Sequence, residues 1–228
     1  MANTTTFLTM CQSVRQNAQI GGAGPSSVAN QTDALKDVVD FTRKAWVDIQ
    51  KMRKGWLFNW KTFEFNATSG KNNYLAEVPD LKRWGTDAEE KPITEYLLSE
   101  GVAGEVPMEN MTYAEFRETY LRGTPQTNRP HNYAIAPDNT LYLGPTPNDT
   151  FVIKGEYYKT TQVLTANADI IELDDDYVDV ILWRAVRSYA KQIQDPNMVE
   201  TATDDYNEQL VQLCSRYLPA LTFGAPIA

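Results

Sequence analysis

The stretch Gly123-Thr-Pro-Gln-Thr-Asn-Arg-Pro-His-Asn-Tyr-Ala-Ile-Ala-Pro-Asp-Asn-Thr-Leu-Tyr-Leu-Gly-Pro-Thr-Pro-Asn-Asp-Thr-Phe-Val-Ile-Lys-Gly-Glu-Tyr-Tyr158 decides the fold. It implies three short β segments: Tyr133-Ala-Ile-Ala, Leu141-Tyr-Leu-Gly and Phe151 to Tyr158. Pro137-Asp138-Asn139 lies between the first two. Proline presets φ and asparagine tolerates φ > 0, so a tight turn is expected there. In Pro145-Thr-Pro147 neither proline can donate to a ladder, so the chain is expected to leave the sheet and cross an edge.

Moving outward, Trp56-Leu-Phe-Asn-Trp60 marks a change from helix to sheet. Phe63 and Phe65 alternate with Thr62, Glu64 and Asn66, the period of a half-buried strand. Ser69 to Asn73 reads as a turn and Tyr74 to Val78 as the returning strand of a hairpin, closed by Pro79. Between Leu81 and Thr119 the pattern weakens, and Ile93 to Leu98 fits a helix or a strand equally. Thr112 and Glu115 have capping-box spacing, predicting a short helix from Tyr113 to Leu121. After the central stretch, Gln162-Val-Leu reads as a further short strand.

Both ends of the chain read as helical. Phe7, Met10, Cys11, Val14 and Ala18 share one face over residues 5–20, and Gly21-Gly22 stops that helix. Leu35, Val38, Thr42, Ala45, Ile49 and Met52 follow a heptad seam from Asp33 to Lys54. Lys51, Arg53 and Lys54 at its end complement the helix dipole. Asp174-Asp-Asp176 is placed to cap a helix from Tyr177 to Gln194. Asp195-Pro196-Asn197 breaks it, and a last helix spans Met198 to Leu218, where Pro219 ends it. Stripes at both ends need a partner to bury them, so the terminal helices should pack together. The expected class is α+β: a helical bundle from 1–59 and 174–228, with a tail at 219–228. A β-rich, sheet- or barrel-like domain over 60–173 is inserted in it.

Composition narrows the function. Hydrophobic content of 42% and aromatic content of 11% argue against disorder over most of the chain. Formal charge is -9, from 21 Lys and Arg against 30 Asp and Glu. A protein that grips duplex DNA replaces phosphate counterions with cations, and this chain is biased the other way. Such a surface suits a passage for DNA better than a clamp. The sequence lacks an early basic cluster and any long apolar run, so no membrane association is expected.

The residues point to little chemistry. The single histidine, His131, has no identifiable nucleophile or orienting partner nearby in sequence. Cys11 and Cys214 read as free thiols at opposite ends of the chain. The glycine-rich loop from Gly21 to Asn30 lacks the Gly-Lys-Ser/Thr ending of a phosphate loop, and no strand precedes it. Glu172, Asp174, Asp175 and Asp176 hold the carboxylates a glycosidase uses, yet carboxylates close in sequence more often form a solvated cap. No catalytic residue, cofactor or metal site is expected. A glycan hydrolase acting through these carboxylates is the enzymatic alternative.

The order of motifs resembles the head-to-tail adaptor, or head-completion, proteins of tailed bacteriophages. The resemblance rests on a heptad helix ending Trp46-Val-Asp-Ile-Gln-Lys-Met, then Val78-Pro79-Asp80-Leu81, then Gly123-Thr-Pro leading to Tyr133. Leu141-Tyr-Leu-Gly-Pro-Thr-Pro147, Gly155-Glu-Tyr-Tyr158 and the aspartates after Leu173 complete it. Such a family implies a structural virion protein made in the host cytoplasm and mounted at the head-to-tail interface. It implies a homo-oligomeric ring, commonly a dodecamer, that binds the portal protein and extends the DNA channel. Tail or nozzle proteins would dock on the ring, and genomic DNA would pass through its lumen without specific binding. In this reading Leu221, Phe223 and Ile227 of the tail are candidates for contact with the portal or a neighbouring subunit. The alternatives are a virion-associated glycan hydrolase using the carboxylates above, or another tail-tube structural component.

Overall fold

The computed structural model describes residues 3–85, 93–124 and 126–218. The chain opens with α1 (Phe7–Asn17) and α2 (Asp33–Met52). Then come β1 (Trp60–Ala67), β2 (Asn73–Tyr74), β3 (Leu81–Trp84), β4 (Thr94–Leu97), β5 (Val106–Pro107) and β6 (Glu109–Asn110). After α3 (Tyr113–Phe116) follow β7 (Thr127–Asn128), β8 (Asn132–Ile135), β9 (Leu141–Gly144), β10 (Thr146–Pro147) and β11 (Phe151–Lys159). The last elements are α4 (Asp179–Gln192) and α5 (Pro196–Tyr217). The class is α+β. Two compact units divide the chain: Met1–Phe58 with Thr161–Ala228, and Asn59–Thr160.

In the helical unit α2 and α5 both pack on α4, and α1 packs on α2 and α4. The α1 face forms as its spacing predicts, with Phe7, Cys11 and Val14 fully buried. A capping box between Thr6 and Thr9 starts that helix. Along α2 the heptad positions Val38, Thr42, Ala45 and Ile49 are buried; the Thr42 hydroxyl is satisfied by Val38 O at 2.7 Å. At the α2 C-terminus the buried Trp56 indole donates to Ile49 O at 2.8 Å, satisfying a carbonyl with no partner inside the helix.

Residues 162–164 do not form a strand. Their backbone partners are side chains of α2 instead of a ladder: Gln162 N donates to Gln50 Oε1 at 2.8 Å, and Arg43 Nε donates to Leu164 O at 2.8 Å. The Gln162 side chain gathers three more bonds. Its Oε1 accepts from Trp46 Nε1 at 2.8 Å and Glu172 N at 3.1 Å, and its Nε2 donates to Ile170 O at 2.7 Å. Leu164, Ile171 and Leu173 then enter the helical core.

The β unit holds three sheets. The largest runs β1-β11-β4-β5, with β3 also on β11, and its backbone is the antiparallel register Trp60↔Tyr158 through Ala67↔Phe151. A second sheet runs β2-β9-β8-β6, and β10 pairs with β7. These paths are open, so among the described residues no barrel closes. The hairpin expected between residues 60–67 and 74–78 is absent. β1 finds its eight-residue match in β11, while β2 pairs with β9 in the other sheet.

The turn at Pro137-Asp138-Asn139 joins β8 to β9, with Asn139 at φ 69° and Ala136 N donating to Thr140 O at 2.9 Å. At Pro145-Thr-Pro147 the chain leaves that sheet as expected. The short parallel pairing it then makes uses the non-proline donors Thr146 N and Asn148 N. Residues 94–97 prove to be strand, and the Thr112–Glu115 capping box begins α3, whose helix continues as a π turn over Arg117–Leu121. Phe116 and Tyr120 from this segment lie on the backbone of Gly144, where an added Cβ would stand 2.6 Å from Phe116 Cε2 and Tyr120 Cδ2.

Candidate interaction surfaces

Leu221, Phe223 and Ile227 lie outside the described residues. What precedes them is firmly held. Tyr217, in the last turn of α5, donates from its hydroxyl to Asp174 Oδ2 at 2.5 Å. Its ring meets Phe58 and Tyr177 edge-on, at 5.4 and 5.5 Å between centroids. Burial and then the Asp174 carboxylate raise the Tyr217 hydroxyl above its ordinary range, so it remains a donor.

The aspartates before α4 do not cap that helix. Its N-cap is Val178, without a side-chain cap bond. Asp174 is taken by Tyr217, and Asp175 accepts from the backbone and hydroxyls of Thr4 and Thr5 at 2.5 to 3.2 Å. The Thr4 and Thr5 hydroxyls hold the Asp175 carboxyl down at about 2. A general acid in glycoside hydrolysis needs a raised pKa, so Asp175 is tuned the wrong way for that role. These carboxylates tie chain ends together.

The remaining chemical candidates are His131 and the two cysteines. His131 is exposed; its Nε2 stands 3.5 Å from the Tyr120 hydroxyl and its Nδ1 3.4 Å from Arg129 O. Cys11 and Cys214 are both free thiols. Burial pushes the Cys11 thiol up to about 12, which makes it unreactive as a nucleophile. Among the described residues no group of His, Cys, Asp or Glu is placed to hold a metal ion, and no helix is long and apolar enough to cross a membrane.

Surface charge on the helical unit is better organised than its composition suggests. Lys36 and Arg43 pair with Asp40, and Arg184 joins Asp48 at 2.9 Å and the Tyr206 hydroxyl at 3.3 Å. By contrast Lys44, Lys51, Arg53 and Lys54 are exposed and have no ion partner among the described residues. Only Lys51 of the expected dipole group lies in the last turn of α2; Arg53 is already extended. On α5, Glu200, Asp204 and Glu208 are exposed, with Asp205 half-buried beside them, and these four also lack ion partners. The spacing i, i+4, i+8 puts the three exposed ones on one face, at a cost of about 0.2–0.5 kcal/mol per like-charged pair. That spacing is visible in the sequence itself.

The β unit presents its own surface. Leu98, Val102 and Val106 are exposed around the connection from β4 to β5. This connection is pinned by Arg129, which donates to the buried Glu95 at 2.6 Å and to Gly104 O at 2.9 Å. Nearby, a cleft of about 470 Å³ is lined by Thr62, Glu64, Thr94, Glu105, Lys154 and Glu156. Its floor is the flat patch at Gly155, where a Cβ would stand 2.8 Å from the Phe63 ring. Apolar side chains beside an acid-rimmed cleft can seat a protein partner.

Compared with known families, residues 5–221 match the one described as SU10 adaptor protein. No curated protein matches the chain significantly.

Proposed function

The chain belongs to the SU10 adaptor protein family, structural adaptors of the phage head-to-tail junction, and on that premise we propose that it forms a ring beneath the portal. Copies of the chain, a dodecamer in this reading, bind the portal protein, continue its DNA channel and offer tail or nozzle proteins a surface to dock on. The protein is made in the host cytoplasm and joins the virion at assembly. Its role is mechanical, and no bond is made or broken.

The observation that carries this reading is a family match running through both compact units, from residue 5 to residue 221. Three physical features support it. The net charge of -9 lets duplex DNA pass without being held. The tail that follows the anchored Tyr217 carries Leu221, Phe223 and Ile227, apolar side chains suited to contact with the portal or a neighbouring copy. Exposed Leu98, Val102 and Val106 give the β unit an apolar patch for a tail protein.

Electron microscopy and sedimentation of the purified chain, alone and mixed with portal, test the proposal. Rings stacked on the portal are expected, and removing residues 219–228 should weaken their attachment. A chain that never associates with portal at any concentration would overturn it.

A further inference from the structure

Two unpartnered helix faces of opposite sign lie on the helical unit. We propose that the basic end of α2 in one copy docks on the acidic face of α5 in the next, and that this contact closes the ring. The inference rests on the ring reading above and deepens it by assigning the faces.

Four cations, Lys44, Lys51, Arg53 and Lys54, stand exposed within eleven residues of chain, and the one acid among them, Asp48, is engaged by Arg184. From Asp195 to Leu210 there is no Lys or Arg at all. Elsewhere on α2, Lys36 and Arg43 are already paired with Asp40. Neither cluster has an ion partner of its own within the chain among the described residues.

Their dimensions agree. Lys44 and Lys51 are two helical turns apart, about 10.5 Å, and Glu200 to Glu208 spans about 12 Å. Val211, 69% exposed and one turn beyond Glu208, supplies an apolar contact at one end of the acidic face. Because the two faces differ, each copy offers one to either neighbour. That is the heterologous, head-to-tail arrangement from which a closed ring is made. Opposed charges would also bring copies together quickly and set their register.

Charge reversal in the full-length chain tests this. One variant carries Lys44→Glu and Lys51→Glu; another carries Glu200→Lys, Asp204→Lys and Glu208→Lys; a third carries all five changes. Thermal melts verify that each folds, and ring assembly on portal is scored by gradient sedimentation and microscopy. Each partial reversal should cut assembly by about tenfold or more. Mixing the two partial variants, or combining the changes in one chain, should restore it, because opposite signs face each other again. Wild-type rings together with unimpaired partial variants would overturn the inference and leave the ring reading intact, as would losses that neither mixing nor combination repairs. A two-copy assembly held by both contacts at once would overturn it as well. Failure of the wild-type chain itself to form rings would instead strike the ring reading.

Discussion

The Tyr217 hydroxyl donates to Asp174 at 2.5 Å, fastening the end of α5 to the segment that leads into α4. The anchor sits one residue before Leu218, so it fixes where the tail departs.

Tyr217→Phe removes the hydroxyl and leaves a half-buried carboxylate without that donor. A hydrogen bond to a charged group contributes about 1.5–3 kcal/mol, and partial solvation of Asp174 trims the loss to about 1–2 kcal/mol. Urea unfolding checks the value. Amide exchange should show the last turn of α5 opening more readily while α2 is unaffected.

Asp175 predicts a specific acid response. Its folded pKa of about 2 lies below the ordinary 3.8 because the Thr4 and Thr5 hydroxyls bond the charged form. A group depressed in the fold adds stability above its unfolded pKa and loses it as pH falls toward the folded one. Asp175→Asn should therefore be less stable than the parent at pH 6, and the gap should narrow between pH 4 and pH 2. Denaturant midpoints at several pH values across that window are the measurement.

Gly144→Ala tests why the Leu141-Tyr-Leu-Gly-Pro-Thr-Pro147 segment carries a glycine. The new methyl would meet two aromatic rings at 2.6 Å, and overpacking of this kind costs about 1–3 kcal/mol. A second change, Tyr120→Ala, relieves one of the two clashes. The double variant should therefore lose less than the sum of its single changes.

Gln162→Leu should be among the most damaging single substitutions in the helical unit. It strips the acceptor from the Trp46 indole and from Glu172 N, and the donor from Ile170 O. Ile170 O is exposed and can turn to water, whereas the Trp46 indole and Glu172 N are partly buried; a buried group left unpaired costs about 1–3 kcal/mol, so a loss of about 2 kcal/mol or more is expected in urea unfolding.

What the sequence disclosed and what it hid divide along a physical line. Local chemistry was legible. The Pro137-Asp138-Asn139 turn, the Thr112–Glu115 capping box and the buried faces of α1 and α2 depend on residues a few positions apart, and all appear in the structure. Choices of distant partner were not. Phe63 and Phe65 announce a strand, but nothing nearby says that its mate is β11 and not the segment after the next turn. The aspartates at 174–176 look like caps because capping is a local habit; Tyr217 and Thr4, far away in sequence, claim two of them instead. Gln162 looks like one polar position in a strand, since its partners Trp46 and Gln50 lie more than a hundred residues earlier. Of the candidate surfaces, the tail residues and the basic cluster at Lys51, Arg53 and Lys54 are legible in the sequence, whereas which charges go unpaired depends on partners as far apart as Asp48 and Arg184.

The pairing of Gln50 with Gln162 has an evolutionary corollary. It staples the outgoing and returning strands of the chain side by side at the helical framework, so whatever is spliced between them begins and ends at a prepared socket. Changes of length or sequence inside the intervening unit leave the hydrogen bonds of that junction in place.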